Sequence, residues 1–153
     1  MRAIIQRVIN SSVSVDSEVK GSVGKGYNVL LGVMQGDGEA QAELLAAKIA
    51  KLRVFEDENG KMNKSVLDIG GEILVISQFT LCADIKKGNR PSFTDSAPPD
   101  EADRLYKYFC KCLLVNGVSK VETGVFAADM LVKIDNDGPV TIMMDTDIWD
   151  KRG

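Results

Sequence analysis

The chain of 153 residues contains no histidine. That absence removes the imidazole, and with it the Ser-His and Cys-His routes to an activated nucleophile and the commonest metal ligand. Cysteine is scarce as well: Cys82, Cys110 and Cys112 are the only three. An odd count, with no signal-peptide pattern, argues against a disulfide framework and fits a reducing cytosol. Cys110 and Cys112 sit too close in sequence for an easy bridge, and no second Cys pair or His completes a zinc site. All three are expected to be buried or half-buried thiols. Neither sign of charge dominates. A net charge of −3 gives no global basic field, so any contact with RNA needs a local patch. Long apolar runs are missing, which excludes a membrane-spanning helix. Met1-Arg2-Ala3-Ile4-Ile5 enters a strand pattern directly, with no visible targeting peptide. A cytoplasmic protein off the membrane is the expectation.

What is present reads as one ordinary globular domain over residues 1–153, since 44% apolar and 27% charged residues can build a core at this length. Residues 2–9 alternate as a strand, and Val13, Val15 and Val19 continue β patterning around a turn. Gly21, Gly24 and Gly26 punctuate another turn. Tyr27 to Met34 is an apolar run suited to a strand buried on both faces. Leu45, Ile49 and Leu52 recur with helical spacing. A turn at 57–60, a short strand at 62–65 and a buried strand at 73–76 follow. Residues 82–97 read as a long loop. Ser96 is expected to cap a second helix entered through Pro98 and Pro99, with Ala102, Leu105, Phe109 and Leu113 as its buried stripe. Asn116-Gly117 ends it. Three further strands are expected at 119–124, 130–135 and 140–145. The fold class is α+β: an antiparallel or mixed sheet curled towards a barrel, with two main helices.

Two segments stand where strand ends meet polar or turn residues: Ser77-Gln78-Phe79-Thr80-Leu81 and Asn136-Asp137-Gly138-Pro139-Val140-Thr141. The Ser77 and Thr80 hydroxyls need a base to attack anything at neutral pH. Without histidine the candidates are Lys86 and Lys87, adjacent lysines in a polar loop and so expected to be solvated. The plainer reading is a strand end whose hydroxyls serve the local backbone. Gly138-Pro139 reads as a hairpin turn, with a trans bond by the ordinary preference. Lys86, Lys87 and Arg90 form one basic set, and Arg104, Lys107 and Lys111 another on the second helix. Either could contact phosphates. Asp145, Asp147 and Asp150 alternate on a fading strand and read as a soluble edge, not as a metal site. No cofactor is implied.

Taken in order, these segments resemble the bacterial and eukaryotic D-aminoacyl-tRNA deacylases. The resemblance runs from Gln6-Arg7-Val8 through Ser77-Gln78-Phe79-Thr80-Leu81, Gly88-Asn89-Arg90-Pro91-Ser92-Phe93 and the Ala102–Tyr106 helix entry. It continues in Thr123-Gly124-Val125-Phe126 and Asn136-Asp137-Gly138-Pro139-Val140-Thr141. It implies a compact barrel-like α+β domain, a homodimer, and a tRNA substrate charged with a D-amino acid or glycine. It also implies a cis Gly138-Pro139 bond reaching the partner's active site, and catalysis at Ser77, Gln78, Phe79 and Thr80. Ala102, Phe126, Met130, Gly138 and Pro139 would bind substrate, and Lys86, Lys87 and Arg90 the RNA. The family's mechanism would let the tRNA 2′-hydroxyl assist hydrolysis, with Thr80 as nucleophile the older alternative. The chain departs from the family at Phe126-Ala127-Ala128-Asp129-Met130, where Ala127 replaces a usual glycine. A non-catalytic tRNA- or nucleotide-binding module of the same fold is the competing reading.

Overall fold

A 14-residue strand, β1 (Arg2–Val15), runs the length of the sheet. In the computed structural model, which describes residues 1–150, it pairs antiparallel with a single strand, β8 (Leu131–Asp145), along one edge. The Asp150 side chain and residues 151–153 of the expected domain lie outside the described residues. Along its other edge β1 pairs first with β2 (Glu18–Val23) and then with β3 (Gly26–Gly32). Asp16 and Ser17 turn the chain with φ of 51° and 65°, the doubly positive geometry that matches strand twist in a two-residue hairpin. Gly21 lies within β2, and the chain breaks only at Gly24-Lys25, so β2 and β3 act as one kinked strand.

β3 pairs parallel with β6 (Glu72–Ser77), and β6 parallel with β7 (Lys120–Thr123). Between β3 and β6 come α1 (Glu39–Lys51) and a small hairpin of β4 (Phe55–Glu56) and β5 (Met62–Lys64). α2 (Pro99–Val115) returns the chain to β7, and α3 (Thr146–Asp150) follows β8. α2 starts at Pro99, not after Ser96. Ser96 instead bridges to Met34, and Pro98 occupies the cap position. Among the described residues, no helix is long and apolar enough to cross a membrane.

Two cores share the sheet. Ile5, Tyr27, Val29, Ile73 and Val75 face Leu45, Ile49, Leu105, Phe109 and Leu113 of the helices. On the other face, Val13, Val23, Leu74 and Ile76 enclose a smaller core with Leu30, Met130 and Val132. The double burial explains why β3 and β6 read as near-continuous apolar runs. The sheet curls until β7 meets β2. At that seam a Cβ on Gly21 would lie 2.7 Å from the Thr123 carbonyl oxygen, so the near-closed barrel depends on a missing side chain. Gly21→Ala is therefore expected to lower the unfolding free energy by about 1–3 kcal/mol, measured by urea denaturation. An unchanged midpoint would mean the seam has slack.

Candidate active site

The parallel strands β3, β6 and β7 end on the same side of the sheet, and the Ser77–Thr80 segment leaves β6 there. The Gln78 N–H donates to the Leu31 carbonyl at 2.7 Å. Phe79–Cys82 then forms one 3-10 turn. The N–H groups of Leu81 and Ala83 donate to the carbonyls of Gln78 and Thr80 at 3.3 and 3.2 Å. Those of Phe79 and Thr80 meet no backbone carbonyl among the described residues, as befits the first turn of a helix. Two adjacent main-chain donors are therefore left without a backbone acceptor among the described residues. Gly32 permits this turn: a Cβ there would lie 2.9 Å from Leu81 Cβ and 3.2 Å from the Gln78 carbonyl oxygen.

The Thr80 hydroxyl accepts from the Gln78 side-chain amide at 2.9 Å. A donor bonded to an oxygen lowers its nucleophilicity, and no base is bonded to it. Phe79 is 57% exposed, and its ring meets Phe93 edge-on at 5.0 Å between centroids. That contact fixes the stem of the following loop, which Asp84 and Ser92 close with two backbone bonds of 2.8 and 2.9 Å. Lys86, Lys87 and Arg90 are exposed on this loop, with no carboxylate at ion-pair distance among the described residues. The second basic set differs. Arg104 pairs with Glu39 and Glu101, and Lys107 with Asp103, so most of that face is neutralised locally.

Ala102 is buried in the first turn of α2, its N–H donating to the Pro98 carbonyl at 2.9 Å. Register pairs Thr123 with Val75, which sets Gly124–Phe126 beside the end of β6. Phe126 packs against Tyr106, ring centroids 6.2 Å apart, and Met130 packs on the smaller core. Ala127 has φ of 64°, so its methyl sits in the left-handed region. Burial pushes the Cys110 thiol up to about 12. It is neutral at physiological pH and no nucleophile.

Gly138-Pro139 is not a hairpin. β8 is continuous, but two steps along β1 (Gln6 to Val8) are matched by five steps along β8 (Asn136 to Thr141). Asp137–Val140 bulge out opposite Arg7. The Gly138-Pro139 bond is cis, and Gly138 has φ of 120°. Arg7, 6% exposed, lies under the bulge. Its Nε donates to the Asp137 carbonyl at 3.2 Å and stands 3.4 Å from the Asp137 carboxylate, while Nη1 donates to the Val54 carbonyl at 2.6 Å. The Asn136 amide clamps the base of the bulge, donating to the carbonyls of Arg7 and Val140 at 2.9 and 3.0 Å. Arg7 escapes a reading for charged clusters. Its one signal is a place in the buried phase of β1, after Ala3 and Ile5.

The two segments are far apart in one chain. Leu31, which holds Gln78, pairs with Ala3, whereas the bulge faces Arg7 on the opposite edge of β1. Four residues of strand separate them lengthwise, roughly 13 Å at about 3.3 Å per residue. One protomer does not bring them together.

Residues 4–145 match the family model described as D-Tyr-tRNA(Tyr) deacylase. The chain belongs to this deacylase family. It is 62% identical over 145 residues to the D-aminoacyl-tRNA deacylase of Ruegeria pomeroyi, covering 95% of this chain and 99% of that protein. It is 56% identical over 146 residues to that of Anaeromyxobacter dehalogenans, covering 95% and 97%. Among solved structures it resembles a c-Myc DNA unwinding element binding protein, at 43% identity and a TM-score of 0.89 over 95% of this chain and 98% of that one. A probable eukaryotic D-amino acid tRNA deacylase shares the fold at 18% identity and a TM-score of 0.80, over 94% and 98%. Ala127→Gly is expected to raise the unfolding free energy by about 1 kcal/mol, relief of the left-handed strain outweighing the added freedom of the unfolded chain. Thermal or urea unfolding measures it, and a lower midpoint would refute the strain.

Proposed function

We propose that this enzyme hydrolyses the ester joining a D-amino acid to the 3′-terminal adenosine of tRNA, releasing free tRNA and the amino acid. Membership of the deacylase family over nearly the whole chain carries this reading, and the two free N–H groups of Phe79 and Thr80 give it a physical site. Attack on the ester carbonyl puts negative charge on its oxygen. Main-chain donors fixed in place stabilise that charge without reorganising. With no histidine and with the Thr80 hydroxyl engaged by Gln78, the proton transfer falls to the substrate. The 2′-hydroxyl of the terminal ribose assists the attacking water, and the protein contributes orientation.

Selection against the L form is geometric, because enantiomers share bonds and solvation. The Gly138-Pro139 bulge of one protomer enters the Thr80 pocket of its partner, where rigid carbonyls receive the α-ammonium. An L side chain runs into that backbone and a D side chain points to solvent. Glycine offers nothing to reject, so glycyl-tRNA is also cleaved. Discrimination thus rests on excluding the wrong partner. Lys86, Lys87 and Arg90 receive the RNA backbone, and Ala102, Phe126 and Met130 line the pocket.

A homodimer is required by this scheme. Its support is the separation of the two segments in one chain, together with the outer edge of β8. That edge has no strand partner among the described residues, and β8 leaves Leu131 and Met143 63% and 70% exposed. A long, apolar, unpaired edge strand invites pairing with another chain. Met143→Lys is expected to shift the protein from dimer to monomer in light scattering and to lower activity in parallel. A fully active monomer would remove the cross-subunit scheme.

Release from D-tyrosyl-tRNA with L-tyrosyl-tRNA untouched is the expected result for the intact enzyme. Thr80→Ala is expected to keep activity within about tenfold, since only positioning by a neutral hydrogen bond is lost. Substrate ending in 2′-deoxyadenosine is expected to resist cleavage. Loss of all activity in Thr80→Ala, with the deoxy substrate cleaved normally, would instead make Thr80 the nucleophile. The likeness to a DNA unwinding element binding protein favours a second reading, nucleic-acid binding without hydrolysis. Binding with no release in the same assay would select it.

A further inference from the structure

The turn that presents the Phe79 and Thr80 N–H groups is anchored at both ends, and the two anchors differ in kind. At its start the Gln78 N–H bonds to the Leu31 carbonyl, main chain to main chain. At its far end the Leu81 carbonyl meets no main-chain donor among the described residues. A side chain serves it instead: Arg2 Nη1 donates to that carbonyl at 2.9 Å. Arg2 Nε donates at the same time to Asp145 Oδ2 at 3.2 Å. Arg2 stands in register with Gly32 of β3 and with Asp145 of β8, so one guanidinium ties the turn to β1 and to β8. The Arg2 side chain is 34% exposed and that of Asp145 13%, so water and salt screen the pair only in part. Hydrogen bonds from an ionised donor are roughly twice as strong as neutral ones. The planar fork of a guanidinium serves two acceptors in fixed directions, which an ammonium on a flexible stem does not.

The turn itself is four residues long, Phe79–Cys82. The bonds from the Leu81 and Ala83 N–H groups to the Gln78 and Thr80 carbonyls measure 3.3 and 3.2 Å, at or beyond the long end of the usual range. So short and loosely bonded a turn depends on outside contacts for its orientation. Held at Gln78 alone, it would be free to pivot and re-aim both N–H groups. We propose that Arg2 is a positioning residue for ester hydrolysis: oriented by Asp145, it fixes the Leu81 carbonyl and through it the direction of the Phe79 and Thr80 donors. The proposal rests on the deacylase reading above. Arg2 touches no reacting atom in this scheme. Its effect falls on the transition state, because donors fixed before charge develops stabilise that charge best, and a small misplacement of such groups is costly.

Arg2→Met keeps an unbranched stem and removes both bonds. On D-tyrosyl-tRNA, assayed well below its unfolding midpoint, it is expected to lose about tenfold or more in kcat with KM within about twofold. Arg2→Lys keeps the charge without the fork and is expected to recover part of that loss. Asp145→Asn keeps an oxygen for the Asp147 N–H and removes the charge. It is expected to lower kcat about threefold in the wild-type background and to change nothing further beside Arg2→Met. Amide hydrogen exchange reads the anchor without activity: the Leu81 and Ala83 N–H groups are expected to exchange faster in Arg2→Met, with those of β3 and β6 unchanged. A folded Arg2→Met with wild-type kcat would overturn the proposal. So would a loss carried by KM, which would make Arg2 a substrate contact. If Arg2→Met does not fold, Arg2→Lys and Asp145→Asn decide, and wild-type kcat in both would overturn it. No release by wild type would overturn the deacylase reading itself, and the exchange rates of Leu81 and Ala83 would still decide whether Arg2 holds the turn.

Discussion

β1 exchanges backbone hydrogen bonds along both edges, with β8 on one side and with β2 and then β3 on the other. Every functional segment is held through that double pairing. Gln78 hangs on Leu31 of β3, and the 137–140 bulge hangs on β8. A slip of one residue in β1 would turn its buried side chains to the other face and move both segments at once. The β1–β8 register shifts twice, between Gln6 and Val8 and between Val8 and Ser11. One of these shifts is the bulge itself, so the demand for a continuous sheet and the demand for a projecting backbone are met at the same place.

The site also shows how a chain without imidazole can present chemistry. In the proposed scheme its polar groups are main-chain donors at the start of a 3-10 turn and main-chain carbonyls in a bulge. Such groups do not titrate, and the backbone geometry of the turn and the bulge sets their direction. The nearby ionisable side chains are kept quiet: the Tyr106 hydroxyl is pushed up to about 12 by burial and the Cys110 thiol likewise. Arg7 has a structural task in this scheme, neutralising and holding the bulge from beneath.

Much of the fold was legible in local patterns. Leu45 and Ile49, and then Leu105, Phe109 and Leu113, gave the helices because helical spacing and burial coincide there. The near-continuous apolar runs of β3 and β6 announced burial on both faces. The Ser77–Thr80 segment was legible as a strand end delivering polar groups. The bulge was not, because a Gly-Pro between two alternating stretches looks like a hairpin, and what makes it a bulge is Arg7, 130 residues earlier in the chain. The start of α2 was misplaced for a related reason: Ser96 has the chemistry of a cap, but its pairing with Met34 is a tertiary contact. The basic stripe on α2 looked available for phosphates until Glu39, from another helix, joined Glu101 and Asp103 in pairing it.

Gly32 contributes no atom to any reacting group, yet the turn that aims the Phe79 and Thr80 N–H groups packs against the space where its side chain would be. Replacing the residues of the turn one by one with alanine leaves those two donors in place. An alanine scan of the turn is therefore blind to the atoms the proposed mechanism depends on. The information that orients them is written in a neighbouring strand, as the absence of a single carbon.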